Sequence, residues 1–325
     1  MAKRLTLYRL RRSPSVRILL RHAFILTFLL CCAMLSSQAL AADIGKREMQ
    51  TIMHDGAKRS YLVRAAHIPT KPKQPVPLVI VLHGGGGNAA ITERMTGFTK
   101  KAIKEQFIVV YPNGSSHFED KLLTWNAWHC CGYAMEKDID DVGFINAMLK
   151  QLIKDYPIDP KRVYVTGLSN GGMMSHRLGI ELSDKIAAIA PVISGLFGDE
   201  QMPKQAVPAI MINGMLDASV PHLGGAPGGR FAKRWRGTHI KPASYQSDFW
   251  VKANSCNTTA KQQDVGYAIH WKHDCPNQKN VELYLVKDNG HAWPGGQAGT
   301  GLGDTPTTSM NATDVIWEFF RLFSK

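Results

Sequence analysis

The chain has no uncharged apolar run long enough to span a bilayer comfortably. The longest, residues 23–35, falls short of the roughly 20 residues a membrane helix needs. Lys3, Arg4, Arg9, Arg11, Arg12, Arg17 and Arg21 precede it without one acidic residue, and Ala39-Leu40-Ala41 follows it. A basic start, a short apolar run and small residues around a cleavage point read as an export signal. Residues 1–41 are therefore expected to be cleaved after Ala41, leaving a secreted or periplasmic product with no stable membrane anchor. Ser13-Pro14-Ser15 after Arg11-Arg12 gives a twin-arginine signal little support.

Charge of one sign is also lacking once that segment is set aside. It takes seven of the 39 basic residues and none of the 26 acidic ones, so 32 against 26 remain, a net charge of +6. No Lys/Arg stripe with interleaved aromatics is present, which excludes nucleic acid as the expected partner. The one local concentration, Arg230, Lys233, Arg234 and Arg236 within residues 222–241, reads as a solvated surface loop, with recruitment of an anionic substrate as the alternative.

Cysteine is scarce. Of six, Cys31 and Cys32 leave with the signal, and Cys130, Cys131, Cys256 and Cys275 remain, an even number in an oxidising compartment. Cys256 and Cys275 flank a hairpin-like stretch and form the expected disulfide; Cys130 and Cys131 could then form a vicinal one. No C-x-x-C pair accompanies His270, His273 and Cys275, so no metal site is expected.

Linkers and repeats are absent as well, so residues 42–325 are read as a single α/β domain. Residues 51–53 and 61–63 are β-prone around Asp55-Gly56, which predicts an antiparallel hairpin at the start. Residues 78–82, 107–111 and 163–166 are apolar without alternation, as in strands buried on both faces. Val142, Ile145, Leu149, Leu152 and Tyr156 recur at helical spacing over residues 139–156, and Pro157 stops the helix. Further strands are expected at 186–193, 209–213 and 281–286, and a closing amphipathic helix at 311–323. The sum is a doubly wound, mostly parallel sheet with an antiparallel N-terminal hairpin.

Gly167-x-Ser169-x-Gly171 leaves one predicted strand and opens a predicted helix, the setting in which a strained turn exposes a serine hydroxyl as a nucleophile. His83-Gly84-Gly85-Gly86-Gly87 follows another buried strand. Glycine N–H groups there could meet a substrate oxygen, with Gly85 and the backbone N–H of Asn170 as the expected oxyanion donors. Asp217 follows the strand at 209–213 and His291 the strand at 281–286, so both succeed the serine in the order acid then base. Asp138, Asp140 and Asp141 precede it, and are expected to cap or charge the start of their helix. Trp125, Trp128 and Trp293 are candidate walls of a substrate pocket.

On Leu82-His83-Gly84-Gly85-Gly86-Gly87-Asn88, Cys130-Cys131-Gly132-Tyr133, Asp140-Asp141-Val142-Gly143-Phe144, Gly167-Leu168-Ser169-Asn170-Gly171-Gly172-Met173 and His291-Ala292-Trp293-Pro294-Gly295-Gly296, the chain resembles the secreted esterases that include polyhydroxybutyrate depolymerases, acetylxylan esterases and feruloyl esterases. The resemblance implies an α/β-hydrolase fold, a Ser169, Asp217 and His291 triad, and no cofactor. It also implies a soluble or oligomeric ester of a hydroxyacid, an acetylated sugar or a hydroxycinnamate as substrate. The chain departs from the family where some members carry a cysteine in the oxyanion loop, and in reading Gly214-Met215-Leu216-Asp217 where Gly-Thr-Ala-Asp is common. An acyltransferase or peptidase on the same triad, and a non-catalytic binding protein, are the competing classes.

Overall fold

A computed structural model describes residues 48–65, 68–69, 72–228, 238–299 and 303–325. They belong to one compact unit, residues 46–325. The export signal and the basic residues Arg230, Lys233, Arg234 and Arg236 lie outside the described residues.

Ten strands form one sheet: β1 (Glu48–His54), β2 (Ala57–Arg64), β3 (Val76–Leu82), β4 (Ile108–Pro112), β5 (Ile158–Leu168), β6 (Ala188–Val192), β7 (Ala209–Gly214), β8 (Lys261–Asp264), β9 (Ala268–His273) and β10 (Val281–Val286). Their spatial order is β1-β2-β4-β3-β5-β6-β7-β10-β9-β8. The six from β4 to β10 are parallel, while β1 and β2 at one edge and β9 and β8 at the other run antiparallel to their neighbours. The N-terminal hairpin falls where Asp55-Gly56 indicated, both residues at positive φ. The hairpin-like stretch between Cys256 and Cys275 is the antiparallel β8–β9 pair, but its place at the far edge of the sheet was not legible in sequence. β8 is Lys-Gln-Gln-Asp with every side chain exposed, so it lacks the apolar alternation that marks a strand, and its charged ends suit a sheet edge that must not pair further.

The helices are α1 (Ala89–Thr96), α2 (Phe98–Glu105), α3 (Gly132–Glu136), α4 (Asp141–Asp155), α5 (Asn170–Glu181), α6 (Ala243–Ala253) and α7 (Ala312–Phe320). Two predicted boundaries move for local reasons. The helix expected from residue 139 begins at Asp141 because the Asp140 carboxylate caps it, accepting from Gly143 N at 2.8 Å. Asn311 caps α7 rather than joining it, accepting from Asp314 N at 3.1 Å. α7 packs through aromatic pairs: Tyr164 of β5 stacks on Phe320 at 4.8 Å, and Phe107 on Trp317 at 4.1 Å. No helix among the described residues is long and apolar enough to cross a membrane.

Two fully buried histidines are expected to make the fold acid-sensitive. His176 on α5 donates Nε2–H to Gln246 Oε1 (2.7 Å) and accepts at Nδ1 from the Trp250 indole (3.0 Å), pinning α6 to α5. His83, directly after β3, meets Gly84 O and Gly114 N through its two nitrogens. Burial lowers each to about 4, so both are neutral in the folded protein at pH 7. Unfolded, each titrates near 6.5. Between those values the unfolded chain binds more protons, so their contribution is complete above pH 6.5 and lost as pH falls towards 4. It amounts to on the order of 3 kcal/mol for each histidine. The urea midpoint is expected to drop steeply from pH 6.5 to 4; a flat profile across that window would contradict the assignment.

Candidate active site

Parallel strands deliver their C-terminal loops to one rim of a sheet, and the strand order decides which loops meet. β5 lies between β3 and β6, so the turn bearing Ser169 stands beside the glycine run that leaves β3. Ser169 adopts φ 57° and ψ −122° between β5 and α5, a backbone region costly for a residue with a side chain. Ser169 N donates to Val192 O at 2.9 Å, which holds the turn. The flanking glycines permit it sterically. A Cβ on Gly167 would lie 2.5 Å from Gly171 O, and one on Gly171 would lie 2.4 Å from His83 O.

β7 and β10 are adjacent in register from Ala209↔Val281 to Gly214↔Val286. Their exit loops therefore bring together Asp217 and His291, 74 residues apart in the chain, with His291 Nδ1 2.9 Å from Asp217 Oδ2. A carboxylate only accepts, so Nδ1 carries the proton and Nε2 is the basic nitrogen. Asp217 is itself fixed: Oδ1 accepts from Ser219 N (2.7 Å) and Val220 N (2.8 Å). The two loops are laced by Met215 N to Val286 O (2.9 Å) and Leu216 N to Asn289 O (3.1 Å). Both side chains are nearly withdrawn from solvent.

Ser169 and His291 line the same pocket, together with His83, Gly84, Gly85, Met95 and Trp293. Within the glycine run, Gly86 N donates to Leu123 O (2.8 Å) and Gly87 N to Gly84 O (2.9 Å), so both N–H groups are already engaged within the protein. Gly85 instead abuts the residue after the serine; a Cβ there would lie 3.8 Å from Asn170 Cβ. Asn170 opens α5, where the first N–H groups have no acceptor inside the helix.

The three tryptophans part company. Trp293 lines the pocket, its indole anchored on Thr313 Oγ1 at 3.0 Å. Trp128 lies in a different cleft with His129, Glu181 and Asp199, and the Arg177 guanidinium stands 5.9 Å from its ring centre. Trp125 is fully buried and hydrogen-bonded on both sides, so in this structure it offers no wall to a ligand. Cys256 and Cys275 are paired, as are Cys130 and Cys131, and His270 Nε2 stands 3.0 Å from Glu282 Oε2.

Among the pocket residues without a sequence signal are Met95 and Asp304. Met95 sits on the buried face of α1 and looks like ordinary core. Asp304 accepts from His291 N (2.6 Å) while its own N donates to His291 O (3.1 Å), bracing the histidine loop from a segment with no recognisable motif.

A mostly parallel ten-stranded sheet with a serine on the turn between its central strand and the following helix defines the α/β-hydrolase class. The acetyl xylan esterase from Aspergillus awamori shares the fold at a TM-score of 0.55 and 14% identity, over 84% of this chain and 99% of that one. Residues 62–223 match the family model described as esterase PHB depolymerase, and the chain belongs to that family. It is 30% identical over 255 residues to feruloyl esterase B of Piromyces equi, covering 76% of this chain and 42% of that one. It is also 30% identical over 142 residues to the bifunctional acetylxylan esterase/xylanase XynS20E of Neocallimastix patriciarum, covering 43% of this chain and 19% of that one. The chain thus spans less than half the length of these two relatives.

Proposed function

We propose that the chain hydrolyses carboxylic esters with a short acyl group, acetate foremost, through an acyl-enzyme on Ser169. The observation that carries this reading is a serine on the strand-to-helix turn sharing one pocket with His291, whose Nδ1 is engaged by buried Asp217. In the proposed first half-reaction Ser169 Oγ bonds to the ester carbonyl carbon as His291 Nε2 takes its proton. Collapse of the tetrahedral intermediate breaks the bond to the alcohol oxygen, which leaves with that proton. Water then attacks the acyl-enzyme, again deprotonated by His291, and releases the acid and free Ser169. Gly85 N and Asn170 N are the proposed donors to the oxyanion, and no metal or organic cofactor is invoked.

Space beside the serine limits acyl length. The cavity beside Ser169 measures about 50 Å³, well below the roughly 300 Å³ at which sites for drug-sized ligands begin. Met95 and Trp293 bound it, which favours acetyl over a feruloyl ring. Export of the product is inferred from the basic and apolar N-terminal segment, and two disulfides suit an oxidising compartment.

The test is hydrolysis of an acetylated xylo-oligosaccharide, a 3-hydroxybutyrate oligomer and methyl ferulate in parallel, with peptide mass mapping after an organophosphonate. The expected result is highest kcat/KM on the acetyl ester, and one adduct on the peptide containing Ser169. Met95→Ala is expected to improve the longer acyl groups relative to acetyl by at least about tenfold, the discrimination a buried methylene or two can carry. Methyl ferulate as the best substrate would remove the short-acyl reading, and an adduct elsewhere would remove the serine.

A further inference from the structure

The two proposed oxyanion donors sit on different segments, Gly85 after β3 and Asn170 after β5. Donors help a developing oxyanion only within about 2.7–3.1 Å of it, and a misplacement of about 1 Å at a reacting centre can cost 100-fold. Their relative placement is therefore a structural problem of its own. One residue touches both sides of it.

Trp125 Nε1–H donates to His83 O at 3.0 Å, gripping the chain just before Gly84-Gly85. Its backbone holds the other side through a closed pair of bonds: Trp125 N donates to Asn170 Oδ1 (2.7 Å), and Asn170 Nδ2 donates to Trp125 O (2.9 Å). The bridge is anchored at both ends. His83 donates Nδ1–H to Gly84 O (2.8 Å) and accepts at Nε2 from Gly114 N (2.9 Å), with its ring centre 4.8 Å from that of Trp125. Two residues before Trp125, Leu123 O accepts from Gly86 N at 2.8 Å. One residue after it, Asn126 N donates to the buried carboxylate of Asp141 (2.8 Å) and Asn126 O accepts from Arg177 Nη1 (2.7 Å). Cys130 Sγ lies 3.6 Å from Asn170 Nδ2 on the same side.

We propose that Trp125 is a positioning residue of the oxyanion hole, a buried strut that sets the spacing between the Gly85 and Asn170 donors without touching substrate. The inference rests on the serine-hydrolase reading above. It differs from ordinary core packing in one respect that can be measured. A packing role concerns the whole ring, whereas the strut needs the indole N–H and the paired bonds to Asn170.

Trp125→Phe keeps an aromatic ring and removes the N–H to His83 O. The expected result is a fall in kcat of about tenfold to 100-fold, part of what an oxyanion donor supplies, with KM within about twofold. Affinity for an alkyl boronic acid, whose tetrahedral adduct on the serine places an oxygen in the hole, is expected to fall by a similar factor. The pH dependence of kcat/KM is expected to keep its wild-type midpoint, because the His291 and Asp217 pair is untouched. Asn170→Ala, which removes both bonds at the other end but leaves its N–H, is expected to reproduce the pattern and serves if Trp125→Phe does not fold. An unchanged kcat, or a loss of kcat with boronate affinity intact, overturns the strut. If the wild-type chain hydrolyses no ester, or organophosphonate does not label Ser169, it is the serine-hydrolase reading that has failed.

Discussion

Ser169→Ala is expected to lower kcat roughly a millionfold, the scale of removing the nucleophile from a hydrolase whose serine and histidine act as a unit. The change deletes one oxygen from a turn whose conformation is imposed by its neighbours, since Ser169 N still donates to Val192 O and the flanking glycines keep their close contacts. The urea midpoint and KM should therefore stay near wild type. Residual turnover of about 10³–10⁴ over water, from donors and substrate binding alone, is expected to persist. Kinetics on an acetyl ester with the variant at high concentration check this. Turnover within a hundredfold of wild type would mean that another group attacks the ester.

Asp217→Asn should be the next most damaging change, lowering kcat by about 10⁴. The carboxylate accepts from His291 Nδ1–H at 2.9 Å and, through its other oxygen, from Ser219 N and Val220 N. An asparagine can keep its carbonyl oxygen on those two backbone donors, which presents its NH₂ to His291. The imidazole then has to accept at Nδ1 and carry its proton on Nε2, the nitrogen that must receive the serine proton. The loop survives while the base is held in the wrong tautomer. The expected signature is lost kcat with little change in KM or unfolding midpoint; a loss of less than about tenfold would remove Asp217 from the proposed triad.

Both expectations concern residues legible in the sequence, and the reason is locality. A nucleophile on a strand-to-helix turn needs small residues two positions to either side, so Gly167 and Gly171 announce Ser169 within five residues. The glycine run after β3 is local in the same way, and so is the alternation-free hydrophobicity of the central strands. Asp217 and His291 carry a weaker signal, their order in the chain and their place after strands, which says nothing about distance. Their 2.9 Å contact depends on β10 pairing with β7.

Tertiary structure alone separated the three tryptophans. Composition and spacing make Trp125, Trp128 and Trp293 equivalent aromatic candidates, yet one is a buried strut, one belongs to another cleft and one lines the pocket. Met95 reads as core because it is an apolar side chain on the buried face of α1, and only the closeness of α1 to the pocket places it on the pocket wall. Asp304 has no motif because its part is to hold the backbone of His291, its carboxylate accepting from His291 N and its own N–H donating to His291 O. Sequence by itself determined the central strands, the N-terminal hairpin, the serine on its strand-to-helix turn and the order of its candidate partners, since each follows from sterics and hydrophobic period over a few residues. Which loops meet at the rim, how far apart the donors sit and how much room lies beside the serine were decided by strand order and long-range packing, because those distances arise between segments that the chain itself keeps far apart.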